Sequence, residues 1–416
     1  MKKNMEMTGQ ENSYSLINRT VEMLMKRRER AVNGEINCIP LPFRRFRNDL
    51  PGVEQGTYYL ISGLSKSAKT QITNFIFLYN SVLYAYNNPE KLRVKLFYFP
   101  LEETPEAITL RFVSYLLYET YGIRISPTDL KSTNVDNPIP DSVLEKINSI
   151  EIQSILKFYE EVVEFHDDRN PTGVYKVVNT YAKNHGTTYY RNIIIKNKDT
   201  GIEEERKVFD YYKPDDNDEY VFCLVDHVSL LETERGLTLR ESINKLSEYM
   251  VIVRNRYNYI PVIVQQQSTE TGNLEAFKAG KIRPTMAGLA DSKYTGRDCS
   301  VMIGITNPYS FELPDYYGYN ITKLKGNFRV LEVVLNRNGM SNGLCPLFFD
   351  GAINLFEECP KPTDDKINRL YEKCSSLRAN KTFMMINKPI KRLHKWISLS
   401  IFAEKLKRRN NNGITN

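Results

Sequence analysis

The residues best suited to chemistry are Gly63-Leu64-Ser65-Lys66-Ser67-Ala68-Lys69-Thr70, which follow an apolar run of strand length, Tyr58–Ser62, and precede a helical stretch. A loop of small residues between strand and helix turns backbone N–H groups toward an anion. The lysine and hydroxyl that close it suit the β and γ oxygens of a nucleotide such as ATP and its Mg²⁺. Gly63, Ser65, Lys66, Ser67, Ala68, Lys69 and Thr70 are therefore the candidate nucleotide site. Such loops carry glycine before the lysine, and here Ala68 stands in its place, where a methyl group crowds phosphate or resists an unusual backbone angle. The bland reading of the same eight residues is a helix start with an exposed lysine.

Two carboxylates accompany the loop. Asp226 ends the apolar run Tyr220–Val225, where an acid can support Mg²⁺. Between loop and Asp226, the run Leu96–Phe99 ends in Pro100-Leu101-Glu102-Glu103. A glutamate there can act as general base on an attacking water if the sheet brings it opposite the γ-phosphate. Either glutamate can equally be a first-turn helix acid.

These residues need a scaffold that brings strand ends together. Tyr58–Ser62, Val94–Phe99, Tyr220–Val225 and Tyr259–Val264 are apolar bursts separated by helical stretches, which predicts an α/β fold with a parallel, helix-covered sheet. Tyr14–Ala31 has helical periodicity, and the charge-free stretch Gln71–Pro89 is too polar for a membrane span and reads as a buried helix. Asn184–Asp218 reads as a β-hairpin insertion, and Asp364–Arg378 as a helix ahead of a basic tail. The domain expectation is a leader and linker helix over 1–35, a core over 36–360 with the insertion near 184–218, and a helical basic extension over 361–416.

Composition excludes several classes. The chain has 416 residues, 41% hydrophobic and 26% charged, which suits a sizeable buried core rather than disorder, collagen or a stapled miniprotein. Six cysteines without a C-x-x-C pair, and four histidines, form no recognisable zinc site and read as free thiols in a reducing compartment. Met1–Ser13 lacks the apolar segment of a secretion signal. The formal charge of +7 favours an anionic partner, but residues 378–416 carry ten Lys and Arg against the single acid Glu404, so the rest of the chain is slightly acidic.

With these elements in this order, the chain resembles the RecA-like ATPase core of hexameric replicative helicases of the DnaB type. Pro100-Leu101-Glu102-Glu103 is similar to the family's S-L-E-M segment, which puts the catalytic glutamate on Glu102. Phe165-His166-Asp167-Asp168 resembles its D-D-T segment, and Val225-Asp226-His227-Val228-Ser229-Leu230 its D-Y-L-Q-L segment. Pro261-Val262-Ile263-Val264-Gln265-Gln266-Gln267 resembles the strand ending in S-Q-L; an ungapped match puts the polar sensor on Gln267, with the register open among three glutamines. Arg283-Pro284-Thr285-Met286-Ala287-Gly288-Leu289-Ala290-Asp291-Ser292, running on to Asp298-Cys299-Ser300, resembles R-P…D-L-R-E-S-G…D-A-D. Asn336-Arg337-Asn338-Gly339 is similar to K-x-R-N-G, whose arginine reaches a neighbouring subunit's nucleotide. The resemblance spans about residues 36–357. Leu335, Ser300 and Ala290 depart from the pattern, as Ala68 does.

The resemblance implies an ATP- and Mg²⁺-dependent DNA helicase of 5′→3′ polarity, forming a homo-oligomeric ring, usually of six, around single-stranded DNA. Arg235, Arg240, Lys278 and Lys281 are the candidates for DNA phosphates; solvated surface charge is the other reading of each. Tyr14–Ala31 resembles the linker by which such cores grip a neighbour. The short N-terminal part leads to the expectation of a core without the family's primase-binding domain, and many asparagines and tyrosines to that of a phage-encoded protein in a bacterial cytoplasm. Lys388–Arg409 forms an apolar face among basic residues, suited to DNA, a replisome or loader partner, a membrane surface or its own domain, with no integral membrane association expected. Two other functions fit: a RecA- or RadA-type recombination ATPase, and a nucleotide-gated DNA-binding scaffold that has lost hydrolysis through Ala68 and Leu335.

Overall fold

The computed structural model describes residues 16–196, 203–268, 282–379 and 384–385. Its elements in chain order are α1 (Leu16–Val32), β1 (Tyr59–Gly63), α2, β2 (Arg93–Pro100), α3 (Pro105–Tyr121), α4 (Ile150–Val162), β3 (Val163–Phe165), α5 (Pro171–Asn184), β4 (Gly186–Lys196), β5 (Glu203–Pro214), β6 (Glu219–Asp226), α6 (Leu239–Tyr257), β7 (Ile260–Gln266), β8 (Val301–Thr306), β9 (Phe328–Asn336), β10 (Leu344–Asp350), β11 (Leu355–Glu358) and α7 (Ile367–Ala379). Helix α2 runs through Lys69–Thr73, a π-turn Asn74–Tyr79 and Asn80–Asn87, and the π-turn is buried along its length. The four expected strands, the linker helix, the hairpin and the C-terminal helix are all found.

Nine strands form one sheet in the order β11-β10-β9-β8-β1-β7-β6-β2-β3. From β3 to β8 the neighbours run parallel. Beyond β8 the sheet departs from the all-parallel expectation, since β9, β10 and β11 are antiparallel. The links from β9 to β10 and from β10 to β11 are too short for a crossover helix, so these strands fold back as hairpins. Among the described residues, strands β4 and β5 pair only with each other, as an insertion beside the main sheet.

Alternation sorts the side chains of the sheet into two cores. On one face, Tyr59, Ile61, Leu96, Tyr98, Phe222, Leu224, Val262 and Val264 pack with α2, α3 and α4. On the other, Leu60, Phe97, Phe99, Cys223, Val225 and Ile263 pack with α5 and α6. Central strand β1 is buried throughout, as a strand covered on both faces must be. Cappers define the helix starts: Thr104, Ser149 and Asn170 each accept a first-turn N–H, and Thr238 with Glu241 forms a capping box on α6. All six cysteines are free, five of them buried.

Candidate nucleotide site

The parallel strands β1, β7, β6 and β2 lie side by side and end at the edge where open α/β sheets place ligands. The loop after β1 requires glycine at its first position: a Cβ on Gly63 would sit 2.5 Å from the Ile305 carbonyl oxygen and 2.6 Å from Ser67 Oγ. Further along, Lys66 and Ala68 both adopt left-handed backbone, with φ of 60° and 77°. For a residue with a Cβ this costs about 1–2 kcal/mol, so Ala68 reproduces the shape that glycine adopts freely. Ala68 also stands at the N-cap of α2 without capping it, and no acidic residue stands in the first turn. That leaves the positive end of the helix open toward the loop.

Three side chains hold the loop's carbonyls. Lys69 Nζ donates to Leu64 O at 3.0 Å, Asn307 Nδ2 to Lys66 O at 3.3 Å, and Arg329 Nε to Ser67 O at 2.9 Å. Burial lowers the Lys69 pKa, an effect opposed by the charges of Asp226 and Glu102. The sequence reading missed Asn307 and Arg329, which follow β8 and open β9, far from any phosphate motif. A small groove beside the loop is lined by Ser65, Ser67, Gln267, Arg283 and Asn307.

Asp226 shares parity with Phe222 and Leu224, so it faces the α2 side of the sheet, where the phosphate loop lies. It is 3% exposed, and neither carboxylate oxygen has a well-formed hydrogen bond. Burial pushes its pKa up to about 7; the Thr70 hydroxyl and Lys69 act the other way, while Glu103 and Glu102 add to the rise. Although Thr70 falls short of a formed hydrogen bond, its proximity to the acid is what matters here. An orphaned buried acid beside a loop hydroxyl fits Mg²⁺, which takes one or two protein oxygens plus substrate phosphates. Among the described residues no cluster of three or more His, Cys, Asp or Glu could hold a metal alone.

The two glutamates separate clearly. Glu103 is tied to Arg111 through both carboxylate oxygens. Glu102 projects with its side chain 54% exposed, its Oε2 3.5 Å from His227 Nε2. His227 follows Asp226 directly; its Nδ1 is buried without a partner, and burial holds its pKa below the usual histidine value.

The glutamines separate by parity. Gln265 and Gln267 point to the α6 side, where Gln265 Nε2 donates to Ala290 O and Ser292 O. Gln267 is committed as fully: Nε2 donates to Ser62 Oγ at 2.9 Å and Thr285 O at 3.1 Å, and Oε1 accepts from Thr285 N. This ties down the Arg283-Pro284-Thr285 segment. Gln266 stands in register with Gly63 on the α2 face, half-buried.

Arg337 follows β9 at the opposite edge of the sheet. Val301 is in register with both Tyr59 and Asn336, so Arg337 lies beside the start of β1. The four residues of β1 from there to Gly63 span about 13 Å. Its guanidinium donates to Cys299 O at 2.9 Å and to Arg297 O, turned away from its own phosphate loop. Arg235 and Arg240 are exposed after β6, and Ser300 Oγ, in place of an acid, hydrogen-bonds Tyr58 N at 3.2 Å. Lys278, Lys281, residues 1–13 and the Lys388–Arg409 segment lie outside the described residues. No described helix is long and apolar enough to cross a membrane.

No protein-family model matches the chain, and no curated protein matches it in sequence. Solved structures do match in three dimensions. The ATPase domain of G40P superimposes with a TM-score of 0.59 at 11% identity, over 84% of this chain and 100% of that one. The fold is that of the G40P ATPase domain. A DnaB-like replicative helicase, solved for its interactions with primase, gives a TM-score of 0.54 at 12% identity over 83% of this chain and 67% of that one. The core fold expected from the motifs is therefore found, and the departures at Ala68, Ala290, Ser300 and Leu335 sit within it.

Proposed function

We propose that this chain is an ATP-hydrolysing DNA helicase of the DnaB type that works as a ring on single-stranded DNA. The observation that carries the reading is the separation of charges. Asp226, Lys69 and Glu102 gather at one sheet edge, while Arg337 stands at the other, beyond reach of its own loop. A second copy must complete such a site. The exposed apolar residues Ile17, Val21, Leu24 and Met25 on α1 suit the same association, since they recur at helical spacing and stay exposed among the described residues.

In this mechanism the loop amides and the start of α2 bind the phosphates of ATP, and Lys69 exchanges Leu64 O for the β and γ oxygens. Thr70 and Asp226 hold Mg²⁺, which neutralises phosphate charge when bound. Glu102, exposed beside His227 where Glu103 is held by Arg111, orients and deprotonates the attacking water. Gln266, rather than Gln267, reports the nucleotide's state, because it stands in register with Gly63 on the α2 face whereas the Gln267 amide is bound to Ser62 and Thr285. Arg337 of the neighbour stabilises the charge of the transferring phosphoryl. Arg235 and Arg240, with Lys278 and Lys281, meet DNA phosphates without reading sequence. Polarity, 5′→3′, comes from the resemblance alone, as do the count of six and the replisome setting; the cytoplasmic location rests on the cysteine usage and composition.

ATP hydrolysis measured with and without single-stranded DNA tests the reading. DNA is expected to stimulate turnover, and Lys69→Ala to reduce it about hundredfold. Equal rates for wild type and variant would remove the enzyme and leave the nucleotide-gated scaffold.

A further inference from the structure

The phosphate loop holds two non-glycine residues in left-handed backbone, and such strain persists only where surroundings over-determine it. We infer that Asn307 and Arg329 form a clamp that holds the loop in its phosphate-binding shape and so replaces the glycine missing at position 68. The inference rests on the nucleotide-binding reading above and assigns these two as positioning residues.

Peptide planes carry the argument. Orienting the Lys66 carbonyl fixes the plane between residues 66 and 67, and orienting the Ser67 carbonyl fixes the plane that sets φ of Ala68. Asn307 Nδ2 holds the first and Arg329 Nε the second, at 3.3 and 2.9 Å. The clamp is itself braced: Arg329 Nη1 donates to Asn307 Oδ1 at 3.2 Å, to Gly326 O at 2.9 Å and to Phe328 O at 2.7 Å, and the guanidinium lies 4.8 Å from the centre of the Phe349 ring. Both residues are buried. Among the described residues no carboxylate pairs with Arg329, so this buried cation is satisfied only by neutral oxygens. The Ser67 N–H closes a turn on Leu64 O at 3.3 Å, and with both carbonyls drawn back to the β8–β9 side the Ala68 amide is left to face an anion.

Loss of the clamp is expected to matter only while position 68 resists the left-handed shape. Binding of a fluorescent ATP analogue to the full chain reads this directly. Asn307→Ala is expected to weaken binding about tenfold, equivalent to about 1.4 kcal/mol, with Arg329→Lys acting in the same direction. Added to Ala68→Gly, Asn307→Ala is expected to weaken binding less than about threefold, because glycine adopts the angle unaided. An equal loss in both backgrounds, or no loss in either, overturns the clamp. Amide hydrogen exchange over residues 64–69 of the nucleotide-free protein gives a second readout, faster in Asn307→Ala while exchange in β1 and β7 is unchanged. If wild type binds no nucleotide, the functional reading fails, and this exchange result still decides the clamp: an unchanged loop rejects it.

Discussion

Replacing Arg337 by alanine is expected to lower the rate of ATP hydrolysis on the order of 10³-fold, while each protomer still binds nucleotide. The expectation follows from where β9 ends. The strand runs antiparallel to β8 and delivers Arg337 beside Tyr59, at the edge opposite the phosphate loop. No rotamer of one arginine crosses that distance, so in the proposed mechanism its target belongs to another copy. Mixing gives the sharper test. An Arg337→Ala subunit keeps Glu102, and a Glu102→Gln subunit keeps Arg337, so neither variant hydrolyses alone. In mixed rings about a quarter of the interfaces join an intact site to an intact arginine, and hydrolysis is expected to return in proportion. Failure to recover on mixing, with both variants assembled, would place Arg337 outside the chemistry.

Asp226→Asn is expected to abolish hydrolysis, by on the order of 10³-fold, and yet to stabilise the nucleotide-free protein at alkaline pH. The carboxyl's pKa is about 7 in the folded chain and about 3.9 in an unfolded one. A raised folded pKa stabilises below the unfolded value, and that stabilisation is lost as pH rises through about 7. At pH 8 the wild-type protein therefore bears the desolvation of a buried anion, at most about 4 kcal/mol, which asparagine avoids. Thermal unfolding should show the variant ahead by several degrees at pH 8, the gap closing as pH falls toward 4. Mg²⁺ and ATP should reverse the order, since only wild type gains from binding them. A variant less stable than wild type at pH 8 without nucleotide would contradict a desolvated, orphaned Asp226.

Much of this site was legible in the primary structure because phosphate loops are local. Strand, loop and helix are contiguous from Tyr59 to Asn87, and Asp226 closes a buried strand visible as six apolar residues. What periodicity could not resolve were choices between neighbours. Glu102 and Glu103 are told apart by Arg111, nearly two helical turns into α3, which claims the second. Gln266 and Gln267 differ only in parity, and a one-residue step moves a side chain to the other face of the sheet. The antiparallel strands β9 to β11 were readable in principle, since Arg337–Gly343 and Gly351–Asn354 leave no room for crossover helices. Asn307 and Arg329 were not, because only the parallel neighbours β1 and β8, and β9 beside them, carry those side chains to a loop 240 residues earlier.

Unwinding of a forked duplex tests the central claim most directly, with wild type and Lys69→Ala compared on substrates carrying a 5′ or a 3′ single-stranded tail. Wild type is expected to separate the strands only with ATP and Mg²⁺, with preference for a 5′ tail, and Lys69→Ala to leave them paired. Nucleotide hydrolysis that proceeds without strand separation on either substrate, by assembled protein, would contradict the helicase and return the core to the recombination class of ATPases.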